Sequence, residues 1–180
     1  MFAALPVPEE LARTVIESAA GIHDDGLRWI LPEQAHLTLA FLGSLDEDRI
    51  ADTAAALAGV DAPAFDLELT QAAVFPSRSS PRVVALLPDE NEQLHHLFEL
   101  VRAALLPNFF DLPDKLRAHV TVARSKQGRR RQAHLPADAI QSILPQQFNV
   151  TEFKLFSSIT APDRAYYSVI RSYPLDMPIE

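Results

Sequence analysis

The 180-residue chain is 48% hydrophobic and 22% charged, a balance typical of a globular protein with a buried core. Its formal net charge of −8 argues against a protein that coats nucleic acid through overall positive charge. Because the chain has no cysteine, disulfides, thiolate metal sites and cysteine nucleophiles are excluded. We expect one domain spanning residues 1–180.

The first residues, MFAALPVPEEL, lack the basic start of a secretory signal. No apolar run in the sequence reaches the length of a membrane span, so we expect no membrane association. The lack of cysteine fits a reducing compartment. These features predict a cytoplasmic protein, which we expect to be a monomer.

In the first half of the chain, apolar runs of strand length alternate with helical patterns. The predicted strands are residues 2–5, 28–31, 36–42, 65–69 and 82–87. A first helix is expected to start at Pro8 and to end at Gly21. A second is expected to follow the capping-box pattern Ser44-Leu45-Asp46-Glu47 and to end at Gly59.

In the second half, residues 89–106 place apolar side chains at helical spacing and predict the clearest helix of the chain. Strands are predicted at residues 117–124, 148–159 and 165–174, the last two forming a hairpin. This order of elements predicts an α+β protein with helices outside antiparallel sheets.

The same short pattern, His-x-Thr-x, occurs in two of the predicted strands, as HLTL from His36 and as HVTV from His119. Successive side chains of a strand point to opposite faces, so the His and Thr of each motif share one face. One imidazole and one hydroxyl, about 7 Å apart along the strand, thus stand above an apolar underside. The two motifs lie just under half a chain length apart, a spacing that fits a duplicated half.

If the two strands lie side by side, they present two imidazoles and two hydroxyls to one point, where a phosphate could bind. Histidine titrates near neutral pH, so one imidazole can accept a proton from water while the other donates one to a leaving oxygen. The hydroxyls of Thr38 and Thr121 can donate to nonbridging oxygens, and Arg124 can neutralise the charge of those oxygens. This scheme for displacement at phosphorus requires no metal and no other cofactor.

Positive charge is concentrated beside the second motif, because residues 115–131 contain seven basic residues and no acidic one. A run of this kind is typical either of an RNA-backbone contact or of a solvated loop. The candidates for contact with RNA are Lys126, Arg129, Arg130 and Arg131. Three aromatic residues are candidates for stacking on a base, although aromatic residues of strands more often belong to the core: Phe41, Phe156 and Tyr166.

Other interpretations stay open on the residues alone. Either motif by itself is typical of a half-exposed strand face. A metal site would need a third ligand from His23, His95, His96 or His134. Adjacent His95 and His96 diverge by about 100° on a helix, so they cannot chelate one metal together.

At these residues the chain resembles the two-histidine phosphoesterase superfamily and, within it, the bacterial and archaeal RNA 2′,3′-cyclic phosphodiesterases formerly called 2′-5′ RNA ligases. The resemblance covers the whole chain, because the framework around HLTLAFLG and HVTVAR matches as well. The matching stretches are FAALPVPEEL, LRWILPEQ, FDLELTQAAVFPS, PRVVALLP, VTEFKLFSSI and YYSVIRSYPL.

The resemblance implies a bilobed α+β fold, with two antiparallel sheets facing a central cleft and helices outside. It implies hydrolysis of the 2′,3′-cyclic phosphate ends of RNA to 2′-phosphomonoesters, together with the reverse ligation to a 2′-5′ linkage. By the same resemblance, His36 would donate a proton to the leaving 3′ oxygen and His119 would accept one from water. Thr38 and Thr121 would hold phosphate oxygens, and Arg124 matches the family's arginine after the second motif.

Two further functions are compatible with the sequence. The first is a phosphodiesterase acting on a small cyclic nucleotide or on ADP-ribose cyclic phosphate, which a panel of cyclic phosphates would separate. The second is a non-catalytic module that binds RNA ends without turnover, an interpretation that the two intact His-x-Thr pairs weigh against.

Overall fold

The structure is a computed structural model that describes residues 1–20, 27–77, 80–109, 111–126, 137–161 and 165–176. Its strands are β1 (Phe2–Pro6), β2 (Leu27–Trp29), β3 (His36–Phe41), β4 (Phe65–Ser77), β5 (Ser80–Pro88), β6 (Val120–Ser125), β7 (Gln146–Val150), β8 (Glu152–Thr160) and β9 (Ala165–Pro174). Its helices are α1 (Glu9–Ala20), α2 (Glu47–Leu57), α3 (Glu92–Leu105) and α4 (Ala137–Gln141), with a short 3-10 turn at Pro32–Gln34.

The nine described strands form one antiparallel sheet with the order β7-β4-β5-β6-β3-β1-β8-β9, and β2 pairs with β6 beside this path. One half of the sheet, β3-β1-β8-β9, is built around the first His-x-Thr motif. The other half, β7-β4-β5-β6, is built around the second. The predicted α+β class is confirmed, and the two antiparallel halves meet where β3 pairs with β6.

The helices bury apolar faces against this sheet. In α3, apolar side chains recur every three or four residues and are fully buried: Leu94, Leu97, Phe98, Val101 and Leu105. Asn91 caps this helix by accepting a hydrogen bond from the backbone N–H of Leu94 at 2.9 Å. None of the helices in the described ranges is long and apolar enough to cross a membrane.

The strand predicted over residues 148–159 is in fact two strands. β7 pairs with β4 in one half of the sheet, whereas β8 pairs with β1 in the other, and Thr151 lies between them. The buried residues change from even positions in β7 to odd positions in β8, because the chain changes sheet neighbours there. The sequence contains this change of parity, since the alternating apolar residues are Phe148 and Val150 before Thr151 but Phe153 and Leu155 after it.

The start of α2 also differs from its prediction. Asp46, rather than Ser44, is the N-cap, and its carboxylate accepts a hydrogen bond from the backbone N–H of Arg49 at 2.9 Å. Both residues are good caps, so the pattern alone did not distinguish them. β4 also continues to Ser77, eight residues beyond the predicted end at Leu69, because β5 pairs with its outer half.

Candidate active site

The two motifs meet at the junction between the halves of the sheet. Leu37 of β3 lies directly opposite Val120 of β6 in an antiparallel pair, and both side chains are buried. Continuing this register sets His36 across from Thr121, and Thr38 across from His119. Because directly opposed residues share a face, the four polar side chains form a compact two-by-two array above the apolar core. In regular pairing the diagonal neighbours, including the two histidines, have Cα atoms roughly 7–8 Å apart.

Each motif is followed by a matching irregularity of the sheet. β1 pairs Ala3 with Ala40 and Ala4 with Thr38, so Leu39 is an extra residue on β3. In the same way, β5 pairs Ala85 with Thr121 and Val84 with Ala123, so Val122 is an extra residue on β6. The extra residue reverses the alternation of faces, as a β-bulge does.

These bulges explain why two further side chains reach the site. Phe41 and Arg124 each lie five residues after the histidine of their motif, an odd separation that would direct them to the opposite face of a regular strand. With the bulge, both share the face of the threonines and line the same cleft. Phe41 is 70% exposed there, so it is a surface ring rather than part of the core.

The imidazoles are held by backbone carbonyl groups in the same manner. Nδ1 of His36 lies 2.7 Å from the carbonyl oxygen of Gln34, and Nδ1 of His119 lies 2.8 Å from that of Arg117. A carbonyl oxygen only accepts hydrogen bonds, so each Nδ1 carries a proton. Nε2 is then the nitrogen that exchanges protons in each ring: an acceptor when the ring is neutral and a donor when it is charged.

The ring of His36 is surrounded by aromatic side chains. Its centroid lies 4.8 Å from that of Phe2, 5.2 Å from that of Tyr167 in an edge-on arrangement, and 6.3 Å from that of Phe156. Phe2 and Phe156 in turn stack at 5.1 Å. These contacts restrict the orientation of the imidazole.

This enclosure affects the charge of His36. Burial lowers the pKa of His36 below its ordinary value of 6.5, because the charged ring loses its hydration. The hydrogen bond to Gln34 raises this pKa, whereas the positive charges of Arg124 and His119 lower it. The net effect is a lowered pKa, so the neutral ring predominates at pH 7 in the ligand-free protein.

His119 has a more open environment. Its ring lies edge-on to that of Phe75 of β4, with centroids 6.1 Å apart, and Phe75 is itself 41% exposed. Each histidine therefore has the same backbone anchor but a different surrounding.

The array opens into a cleft of about 310 Å³. Its lining comes from both halves of the sheet and includes both histidines, both threonines, Phe41 and Arg124, together with Phe2, Ser158 and Tyr167. The site thus offers two imidazoles, the two threonine hydroxyls and one guanidinium to a ligand, beside further hydroxyls and exposed aromatic surface. Such a set suits an anionic group with an attached ring.

The model of a known family, LigT-like phosphoesterase, matches residues 5–85 and again residues 86–167. The chain belongs to the LigT-like phosphoesterase family. Each matched segment contains one His-x-Thr motif, in keeping with the half-chain spacing of the two motifs.

Relatives in this family extend over almost the whole chain. A Thermotoga maritima protein named RNA 2′,3′-cyclic phosphodiesterase is 30% identical over 94% of this chain and 91% of its own length. The crystal structure of Escherichia coli LigT complexed with 3′-AMP has a TM-score of 0.75 at 25% identity, covering 97% of this chain and 96% of that one. E. coli LigT complexed with phosphate has a TM-score of 0.72 over the same shares. The resemblance inferred from the motifs is confirmed.

Other residues singled out in the sequence lie elsewhere. Lys126 is exposed just after β6 and is not part of the cleft lining, while His95 and His96 lie exposed on α3. The remaining candidates for RNA contact or metal binding lie outside the described residues: His23, Arg129, Arg130, Arg131 and His134. Within the described part of the chain, no three His, Asp or Glu side chains are grouped as a metal site would require.

Sequence reasoning missed several residues of the LigT-like cleft. Tyr167, rather than its neighbour Tyr166, lines the cleft, and Phe2 and Phe156 pack around His36 instead of remaining free to stack. The alternation of faces along β9 could have separated the two tyrosines had the register against β8 been known.

Proposed function

We propose that this protein hydrolyses the 2′,3′-cyclic phosphate ends of RNA to 2′-phosphomonoesters. The observation that carries the proposal is the pair of His-x-Thr motifs on one cleft, each imidazole anchored through Nδ1 and leaving Nε2 for proton transfer. The name RNA 2′,3′-cyclic phosphodiesterase, which relatives at about 30% identity carry, supports this substrate. RNA is then the partner of the cleft.

In the proposed reaction, Nε2 of neutral His119 accepts a proton from water as the water oxygen attacks phosphorus. The bond between phosphorus and the 3′ oxygen breaks, and Nε2 of charged His36 donates its proton to that oxygen. The products are a 2′-phosphomonoester and a free 3′ hydroxyl. Positioned acid-base catalysis of this kind typically contributes about 10² to 10⁴ in rate.

The lowered pKa of His36 fits this role once substrate is bound. The ligand-free ring is mostly neutral, but a phosphate anion in the cleft stabilises its charged form and raises its pKa. The proton donor is thus charged mainly when its acceptor is present.

The remaining cleft residues hold the substrate. The hydroxyls of Thr38 and Thr121 donate to nonbridging oxygens, and Arg124 neutralises the charge that builds on them. Phe41 stacks on the terminal base, a role supported by its exposure and by its position matching that of Arg124 in the other half. Lys126, Arg129, Arg130 and Arg131 attract the upstream RNA backbone.

The same groups support the reverse ligation. If the 5′ hydroxyl of a second RNA replaces water, it attacks the cyclic phosphate, the bond to the 3′ oxygen breaks, and a 2′-5′ linkage forms. We further propose that residues 1–180 act as one two-lobed, monomeric, cytoplasmic domain without a bound metal. The lining of the cleft by both halves of the sheet supports the single domain.

The test is an oligonucleotide ending in a 2′,3′-cyclic phosphate, with the products separated as 2′ or 3′ phosphomonoesters. The expected product is the 2′ isomer alone. His119→Gln is the matched control, since it removes the proton acceptor and should bind the oligonucleotide without converting it. Formation of the 3′ isomer would contradict the proposed leaving group, and binding without turnover by the unmodified protein would contradict catalysis.

A further inference from the structure

A smaller crevice of about 80 Å³ opens beside the catalytic cleft. The two spaces share four lining residues, His36, Thr121, Arg124 and Tyr167, so they are immediate neighbours. The crevice adds residues of β2 and of the segment before β3, above all Arg28. Arg28 takes no part in the proposed reaction.

Arg28 is placed opposite Arg124. β2 pairs with β6 in antiparallel register, and Arg28 lies directly across from Arg124. Directly opposed residues share a face, with Cβ atoms about 4.5–5.5 Å apart. Both arginines line the crevice, so two guanidinium groups converge on a space next to the histidines.

Two converging guanidinium groups select a phosphate. Each presents a planar fork of donors that fits the oxygens of a phosphate, and the summed charge favours an anion over a neutral group.

The anion in the crevice is distinct from the phosphate that reacts. Both histidines and both threonines line the larger cleft, which therefore holds the reacting phosphate, whereas Arg28 lines only the crevice. Arg124 lines both spaces and can contact a phosphate in either. At an RNA end, the next phosphate is attached to the 5′ oxygen of the terminal nucleoside.

We propose that Arg28, together with Arg124, binds a second phosphate, attached to the 5′ oxygen of the nucleoside whose cyclic phosphate is hydrolysed. This inference rests on the proposed function and narrows its substrate class to ends that carry a 5′ phosphate group. That group can be a 5′-phosphomonoester on a single nucleotide or the phosphodiester of a longer chain.

The test compares three substrates with one base: a nucleoside 2′,3′-cyclic phosphate, the same compound with a 5′ phosphate, and a dinucleotide ending in the cyclic phosphate. Arg28→Gln should lower kcat/KM for the substrates with a second phosphate on the order of 10-fold to 100-fold, as loss of a charge-assisted hydrogen bond predicts. The first substrate should change less than about twofold. Loss confined to the second substrate identifies a free 5′ phosphate as the ligand, and loss on both identifies the RNA backbone as well.

Two variants serve as controls. Arg13→Gln removes the same charge from an exposed ion pair with Glu9 on α1, outside both spaces, and should leave all three substrates unaffected. Arg28→Lys keeps the charge but not the fork and should recover part of the loss. Equal losses of Arg28→Gln on all three substrates would assign Arg28 to the reacting phosphate, and no loss on any would show that the crevice binds no phosphate; either result overturns the inference.

A binding experiment separates this inference from the proposed function. Nucleoside 3′,5′-bisphosphate carries both phosphates and needs no turnover, while nucleoside 3′-monophosphate lacks the second. Arg28→Gln should weaken binding of the bisphosphate by a factor similar to the expected loss of kcat/KM. It should leave binding of the monophosphate unchanged. If the unmodified protein hydrolyses none of the three substrates, the proposed function fails, and the bisphosphate result still decides whether the crevice binds phosphate.

Discussion

At the scale of single residues, the two histidines share a backbone anchor but differ in their surroundings. His36 lies among three aromatic rings, while His119 contacts Phe75 at a more open position. The identity of these two residues followed from the sequence, because His-x-Thr in a strand defines a face. The difference between their surroundings could not be predicted from the sequence, because it depends on rings from β1, β8 and β9, which are distant from His36 along the chain.

Replacing either His36 or His119 by Ala should lower kcat/KM for a cyclic-phosphate substrate on the order of 10²-fold or more. The kcat/KM of the double variant should be little lower than that of the less active single variant, because the two imidazoles act on one transition state. Steady-state kinetics measures this, with His95→Ala on the exposed face of α3 as the control. Near-full activity in either single variant would remove that histidine from the mechanism.

The lowered pKa of His36 also predicts how stability depends on pH. The unfolded chain binds a proton to this ring near pH 6.5, whereas the folded protein binds it only at lower pH. The free energy of unfolding should therefore fall as pH drops from 6.5 toward the folded pKa, and His36 should add no pH dependence well above 6.5. Denaturant unfolding of the wild type and of His36→Gln between pH 5 and 8 measures how the free energy of unfolding depends on pH. The variant should lack the contribution of His36 to this dependence. Parallel curves would contradict the shift.

The donor set of the cleft predicts turnover without a divalent ion. The side chains that line the cleft in the described part of the chain include imidazoles, hydroxyls and a guanidinium but no carboxylate. Hydrolysis should continue at an unchanged rate in excess EDTA. If EDTA abolishes the activity and a divalent ion restores it, the metal-free mechanism is wrong.

At the scale of elements, most strands and the three long helices followed from periodicity and from Gly and Pro positions. What did not follow depends on pairing between distant segments. The bulges at Leu39 and Val122 are defined only against β1 and β5, so no local pattern shows that Phe41 and Arg124 face the threonines. The break at Thr151 likewise reflects a change of partner strand.

The cap of α2 gives a prediction at this scale. Asp46→Ala should lower the free energy of unfolding by about 0.5–2 kcal/mol, because it removes the acceptor for the Arg49 N–H. Ser44→Ala, which the sequence pattern marked as the cap, should change stability by much less. Thermal and denaturant unfolding of both variants measures these changes. A larger loss of stability in Ser44→Ala than in Asp46→Ala would identify Ser44 as the N-cap instead.

At the scale of the whole molecule, an acidic protein is proposed to act on RNA, so the distribution of its charge matters more than the sum. Replacing Lys126, Arg129, Arg130 and Arg131 by Ser should weaken binding of a long oligonucleotide and flatten its dependence on salt, because fewer counterions are released. Turnover of a mononucleotide cyclic phosphate should hardly change. Fluorescence binding at several salt concentrations measures the first effect. Equal losses on both substrates would instead implicate this segment in the active site or in folding.

The pairing of β3 with β6 has a mechanical consequence. Leu37 and Val120, the residues that follow the two histidines, are antiparallel partners of each other, and both side chains are buried. The spacing of the imidazoles is thus set by neighbouring strands, about 4.8 Å apart in any sheet, and not by a hinge between lobes. Opening or closing the cleft at this point would separate this buried pair of strand residues. We therefore expect the two histidine backbones to keep the same spacing whether or not a ligand is bound.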